Sequence, residues 1–357
     1  MYKYTHGGNA NFESDKTFVD LSANINPFGF PDGVEEAIIT SIKNISVYPD
    51  NFNIKLIEKI SKYENVDKNN IFCSNGASDI IFRIPRILNA KKVLLLSPTF
   101  SDYERAVVTN GGEVIYYDLK EKNGFRVMTD ILEIIENYDF DLIFICNPNN
   151  PTGVVTEFEL MKKIIELCKK QNTFIVVDEC FIDFLEEKCS VKSLLKKYDN
   201  LLILKAFTKI FGLAAIRLGY VMTCNRDIID KLYMYGGDWS VSNLAQSAGI
   251  ACLHSPEKFL QTTVEYIKKE RENIIHELSK LGLVTFNSRA NYIFFKSKEN
   301  FNLKEKLDLA GIRIRHCNNY HGLNDNYYRV GISSSENNRL FIRELKAIFH
   351  QFERVVK

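Results

Sequence analysis

The chain has 357 residues, with 46 lysines and arginines against 45 aspartates and glutamates and a net charge of +1. That balance offers no extended basic field to nucleic acid or to an acidic membrane surface, so neither is expected as a partner. With 45% hydrophobic and 25% charged residues the composition is that of a globular protein, and no apolar run approaches the ~18 residues of a membrane span.

The N-terminal MYKYTHGGNANFESDK has no apolar core of a signal peptide, so a cytoplasmic enzyme or binding protein is expected. The first ~35 residues carry little periodicity and read as an extended arm. DIIFRIPRIL (79–88) reads as a helix. From there short β-rich runs alternate with amphipathic stretches. The runs are VLLLSP (93–98), EVIYYDL (113–119), DLIFICNP (141–148), TFIVVDE (173–179), LLILKAF (201–207) and IRLGYVM (216–222). Several are apolar on both faces, as central strands of a helix-covered sheet must be. In TEFELMKKIIELCKKQ, Thr156 and Glu159 have the spacing of a capping box. The pattern predicts an α/β fold with a mostly parallel sheet. Beyond it, a helix over roughly 256–281 precedes NYIFFK (291–296), IRIRHC (312–317) and YYRVGIS (327–333), and a last helix starts near Ser335. This part reads as a smaller α+β lobe. The expected division is an arm over 1–35, a large domain over 36–245 and a small C-terminal domain over 246–357.

The eight cysteines form no C-x-x-C pair and are scattered through apolar runs. Free thiols in or near the core are expected, and no metal site.

Ligands of such sheets bind beyond the carboxyl ends of the strands. Asp178 stands there after TFIVV, Lys209 after LLILKAFT, and Arg217 just before LGYVM. Singly they read as a turn aspartate, a surface lysine and an ion-paired arginine. Together they suit pyridoxal phosphate, which needs a lysine for its Schiff base and a carboxylate to keep the pyridine nitrogen protonated. Its phosphate needs cations and N–H donors. Gly76, Ala77 and Ser78 open the helix that starts near Asp79, where backbone N–H groups approach an anion, and Thr208 and Arg217 add a hydroxyl and a guanidinium. Asn150 is placed to bond the ring oxygen and Phe100 to stack on the ring.

The motifs NPNNPTG (147–153), VVDECFIDF (176–184), TKIFGLAAIRLGY (208–220) and SNGASD (74–79) resemble those of fold-type I pyridoxal-phosphate enzymes, the class I/II aminotransferase family. The resemblance covers nearly the whole chain. It implies a homodimer with active sites at the interface, and Tyr48, in VYPD, as the tyrosine sent to the partner's cofactor phosphate. It also implies Arg329, in YYRVGIS, as the arginine that takes the substrate α-carboxylate, with Asn150 sharing the contact.

Two branches share these motifs. THGGN (5–9), DLSANINPFG (20–29), DWSVS (238–242), SRANYIFF (288–295) and residues 312–333 resemble the L-threonine O-3-phosphate decarboxylases of cobalamin biosynthesis. The histidinol-phosphate aminotransferases are the alternative. On the first reading the substrate is an amino-acid phosphate, with His6, Asn24 and Arg315 near its phosphate. Phe181 stands where aminotransferases of this group commonly have a tyrosine that bonds the ring oxygen. Its lack of a hydroxyl is expected to raise the Schiff-base pKa. Ala206 stands where many relatives carry a further hydroxyl for the cofactor phosphate.

Overall fold

The computed structural model describes residues 7–8, 18–186, 189–298 and 301–356; His6 lies outside them. Thirteen strands are β1 (Val19–Asp20), β2 (Ile71–Ser74), β3 (Lys92–Ser97), β4 (Glu113–Asp118), β5 (Leu142–Cys146), β6 (Phe174–Asp178), β7 (Leu201–Ala206), β8 (Gly219–Met222), β9 (Val284–Thr285), β10 (Tyr292–Lys296), β11 (Ile312–Arg313), β12 (Arg315–His316) and β13 (Tyr327–Gly331).

Seven of them form one sheet in the order β2-β8-β7-β6-β5-β3-β4. All run parallel except β8, which opposes β7 and β2. Strands β5 and β7 are buried at every residue, which explains the unbroken apolar run of β5 and the run of β7 that only Lys205 interrupts. β5 departs from β3 on the side away from β4, so the strand order reverses between β3 and β5. Ligands of open α/β sheets bind at such a point. The run IRLGYVM enters the sheet only at Gly219. Arg217 has φ of 57°, a left-handed conformation that a strand cannot continue.

Helix Phe158–Lys170 buries Met161, Ile164, Ile165 and Cys168, a stripe at helical spacing. The expected capping box is not formed. Glu157 takes the cap position without a side-chain bond, and Thr156 is buried with its N–H donating to Asn147 Oδ1 at 2.9 Å. The helices Glu257–Lys280 and Ser335–Val356 agree with expectation.

A four-stranded antiparallel sheet has the order β12-β13-β10-β9. IRIRHC does not make one strand. Its first half, β11, pairs with β1 of the N-terminal segment, and its second half, β12, pairs with β13. The chain changes sheets at buried Ile314. Residues 19–20 are thereby paired in a two-stranded sheet with the segment that leads into β12, a tie that their own periodicity does not announce.

Lys205, four residues before Lys209, lies in the middle of the large lobe's core. Its Nζ contacts Glu64 Oε1 at 2.8 Å and Asp183 Oδ1 at 2.9 Å. Lys192 and the Tyr220 hydroxyl complete the shell around Glu64. Burial works against the Glu64 carboxylate, but Lys205 and Lys192 outweigh it and lower its pKa to about 2. Removing the lysine leaves buried carboxylates short of a counter-charge. Lys205→Met is expected to destabilise the protein by about 3–5 kcal/mol at pH 7, read from chemical denaturation. A loss below ~1 kcal/mol would mean the carboxylates find another partner.

Candidate active site

The strand ends β3, β5, β6 and β7 deliver the central residues. Asp178 closes β6 in register with Cys146 of β5 and Leu204 of β7. It is buried, and its Oδ2 accepts from the Tyr103 hydroxyl at 2.6 Å. Oδ1 accepts from the Cys180 N–H at 3.0 Å. Burial raises the carboxyl pKa, while the Cys180 and Tyr103 bonds and the charge of Lys209 pull it back. Tyr103 was not legible as a site residue. Its one sequence signal is its place three residues after Phe100, which caps the helix Ser101–Thr109 that carries Tyr103. The two rings meet edge to face, with centroids 5.6 Å apart.

Lys209 sits on the one-turn helix Phe207–Ile210 that follows β7. Its Nζ lies 5.6 Å from the centre of the Phe181 ring. Burial, with the positive charges of Arg329 and Arg217, lowers its pKa to about 8. Of the groups whose field acts on the lysine, Arg329, Arg217 and Asp178 were expected around it, and Cys180, which raises its pKa, was not. Thr208, its neighbour, is half-buried.

The turn between β2 and helix Ala77–Ile87 lies against Arg217. Gly76 has φ of 83°, and a Cβ there would lie 2.7 Å from Arg217 Nη2. Only glycine leaves that space beside the first N–H groups of Ala77 and Ser78. The left-handed backbone of Arg217 and the bond from its Nη1 to the Ala214 carbonyl, 3.1 Å, aim the guanidinium at this turn. A helix start roofed by a guanidinium suits an anionic group.

Arg329 is 5% exposed and lies on β13. Its Nη1 donates to Asn150 Oδ1 at 2.5 Å and its Nη2 to the Ser22 carbonyl at 2.8 Å. The Tyr292 ring faces it at 5.4 Å. Its Nε is buried with no hydrogen-bond partner among the described residues, as is Asn24 Oδ1. A buried donor without an acceptor is rare, and an anionic ligand would satisfy it. Tyr320, also unread in the sequence, donates to Asn150 Oδ1 at 3.3 Å and carries the Arg315 guanidinium over its ring at 5.4 Å.

Two clefts flank this group. One, of about 310 Å³, is lined in part by Thr99, Phe100, Tyr116, Tyr320 and His321. The other, of about 420 Å³, is lined in part by Gly7, Gly8, Ser22, Lys304, Arg313 and Arg315. The second is rich in cations.

Tyr48 does not join the cluster within one chain. It is 74% exposed and stacks on Trp239 with centroids 4.4 Å apart. Among the described residues no three His, Cys, Asp or Glu side chains could hold a metal, and no helix is long and apolar enough to cross a membrane. Among the described residues no cysteine is paired in a disulfide, and five of the eight are buried.

The family described as aminotransferase class I and II matches residues 16–345. The chain belongs to that family. This aminotransferase-family chain is 35% identical, over 98% of its length and 95% of the other's, to a protein of Caldanaerobacter subterraneus subsp. tengcongensis provisionally named a threonine-phosphate decarboxylase. It is 31% identical to the threonine-phosphate decarboxylase of Salmonella typhimurium, over 98% of this chain and 97% of that one. Among solved structures, the histidinol-phosphate aminotransferase from Clostridium acetobutylicum superposes with a TM-score of 0.87 at 32% identity, covering 93% of this chain and 99% of that one.

Proposed function

We propose that the chain is a pyridoxal-phosphate-dependent decarboxylase of L-threonine O-3-phosphate, a homodimer of the cytoplasm. The product would be (R)-1-aminopropan-2-yl phosphate, made for cobalamin biosynthesis. The observation that carries the reading is Arg329, buried with an unsatisfied Nε and joined through Ser22 to a cationic cleft. That arrangement suits a substrate with a carboxylate and a phosphate on one molecule. The reading takes residues 1–35 as an arm, 36–245 as the large domain and 246–357 as the small one.

In this reading Lys209 holds the cofactor and Asp178 keeps its pyridine nitrogen protonated. Phe100 covers the ring, Phe181 adjoins it, and Asn150 bonds the ring oxygen. Gly76, Ala77, Ser78, Thr208 and Arg217 receive the phosphate, joined by Tyr48 of the partner subunit. When bound, the cofactor accepts into its ring the electron pair left by the bond broken at the substrate Cα. Which bond breaks depends on which lies perpendicular to the ring. Arg329 and Asn150 fix the carboxylate, while Asn24, Arg315 and the arm residue His6 fix the phosphate. Two anchors on one small molecule set the rotation about Cα. Lys209 then returns a proton to Cα.

The exposed apolar side chains of Ile45, Val47, Tyr48, Phe52, Met234 and Trp239 support the dimer, since so much exposed apolar surface usually marks an interface.

Carbon dioxide release from L-threonine O-3-phosphate tests the proposal, beside a vial of histidinol phosphate and 2-oxoglutarate. Glutamate formed without carbon dioxide would establish the aminotransferase instead, the reading favoured by the 0.87 superposition. Tyr103→Phe tests the ring contact. Asp178 loses its 2.6 Å donor, and the dissociation constant for pyridoxal phosphate is expected to rise about tenfold. A titration with an unchanged constant would remove Tyr103 from the site.

A further inference from the structure

Three residues separate the arm's contact with Arg329, at Ser22, from its contact with Lys209, at Asn26. At one end the Ser22 carbonyl accepts from Arg329 Nη2, and the Leu21 carbonyl accepts from the Gly331 N–H at 2.7 Å. At the other end stands Asn26, 4% exposed. Its backbone N–H donates to the Lys209 carbonyl at 3.1 Å. Its Nδ2 donates to the Ile210 carbonyl at 2.7 Å and to Thr263 Oγ1 at 3.0 Å. Its Oδ1 accepts from the Phe28 N–H at 3.0 Å, which locks the amide in place.

The Lys209 and Ile210 carbonyls belong to the helix that carries the lysine. Phe207–Ile210 is a single turn, and its own continuation offers only long bonds, from the Gly212 N–H to the Lys209 carbonyl at 3.4 Å and from the Leu213 N–H to the Phe207 carbonyl at 3.3 Å. Asn26 adds a shorter bond to the Lys209 carbonyl and one to the Ile210 carbonyl, from a segment 183 residues away in sequence. The approach is close on both sides. A Cβ on Gly212, just past the helix, would lie 2.3 Å from the Gly29 carbonyl oxygen. The helix end therefore rests on the arm as well as on its own continuation.

We propose that Asn26 is a positioning residue for Lys209, and that the segment Ser22–Asn26 is a strap linking the arginine that seats the substrate carboxylate to the lysine that moves the proton. The inference rests on the reading that Lys209 holds the cofactor. Four residues span at most about 14 Å, so the strap has little slack to absorb a shift at either end. Weakening it at Asn26 lets the Lys209 helix rock. Proton delivery to Cα then suffers, while the Arg329 seat, held separately by Ser22 and Asn150, remains.

The test compares wild-type holoenzyme with Asn26→Ala and Thr263→Val, using whichever substrate the wild type turns over. For Asn26→Ala, kcat is expected to fall about tenfold or more with KM within about twofold. The pH midpoint of the bound cofactor's visible band is expected to move by about half a unit or more. Thr263→Val keeps the side-chain shape and removes one acceptor of the Asn26 amide, so it should shift both in the same direction by less. Wild-type kcat and midpoint in Asn26→Ala would overturn the proposal, as would a loss confined to KM. If Asn26→Ala does not fold, Thr263→Val with unchanged kcat and midpoint would do the same. A wild-type protein that develops no visible band with pyridoxal phosphate would sink the cofactor reading and this proposal with it, which separates the two failures.

Discussion

Lys209→Ala is expected to abolish turnover, with kcat reduced at least about 10⁴-fold, the upper end for a positioned proton-transfer group that is also the point of attachment. Borohydride reduction of the wild-type holoenzyme should leave the cofactor on the peptide that contains residue 209. The variant should leave that peptide unlabelled. The pH dependence of attachment carries more information than the loss itself. An ordinary lysine amine is almost fully protonated below pH 9. Here burial and the charges of Arg329 and Arg217 disfavour the ammonium, and half of the Lys209 amine is neutral at about pH 8. The shift is downward, so the reactive neutral form is gained as pH rises through 8 and not through the usual 10.5. The initial rate at which apoprotein takes up pyridoxal phosphate should therefore level off above about pH 8. It should be about 100-fold slower at pH 6, a tenfold loss for each unit below the midpoint. A midpoint near 10 would mean that the surrounding cations do not act on this amine.

Arg329→Met is expected to cost the next largest factor. The guanidinium is buried, fixed by Asn150 and Ser22, and stacked on Tyr292. Removing one partner of a buried charge-assisted contact costs about 2–5 kcal/mol, so kcat/KM for a carboxylate substrate should fall by about 30-fold or more. Arg329→Lys should recover little of it, because an ammonium cannot reproduce the planar pair of donors. Binding of a phosphorylated amine without a carboxylate, such as the decarboxylation product, should change by no more than about threefold. That contrast separates a carboxylate seat from a general structural role. A second consequence concerns the lysine. Arg329 is among the causes that lower the Lys209 pKa, so in Arg329→Met the midpoint of cofactor uptake should move upward from about 8. A midpoint that stays put, with both ligands weakened alike, would place Arg329 outside the substrate contact.

Much of this molecule follows from residue order. The apolar runs that became β3 to β7 were legible because strands covered on both faces cannot carry polar residues freely. Polar residues that end such runs mark the ligand side of the sheet, which is how Asp178 and Lys209 stood out. The same logic misjudged local detail. Thr156 and Glu159 have capping-box spacing, yet Asn147 offers the Thr156 N–H a buried acceptor and the helix starts later. IRIRHC has the composition of one strand, yet partners from two sheets divide it at Ile314.

The two lysines of LLILKAFTK show where sequence stops. Lys205 and Lys209 share one strand end and one amphipathic chemistry. Their roles part because Lys205 meets Glu64 and Asp183, which hold it charged, while Lys209 meets Arg329 and Arg217, which help make it neutral. No spacing rule contains those neighbours, since they come from helix Ile54–Glu64, the turn after β6, β13 and the turn before β8. The partners of Asp178 and of the Lys209 helix, Tyr103 and Asn26, were hidden for the same reason. Their donors act across 75 and 183 residues of chain.

The sequence by itself determined the class of fold, the strand ends that bear the chemistry and the family, because burial periodicity and short motifs are local properties. Only the tertiary structure decided which side chains face one another. It sets the charge on each buried amine and carboxylate through desolvation and neighbouring charge, and both depend on distance in space and not along the chain.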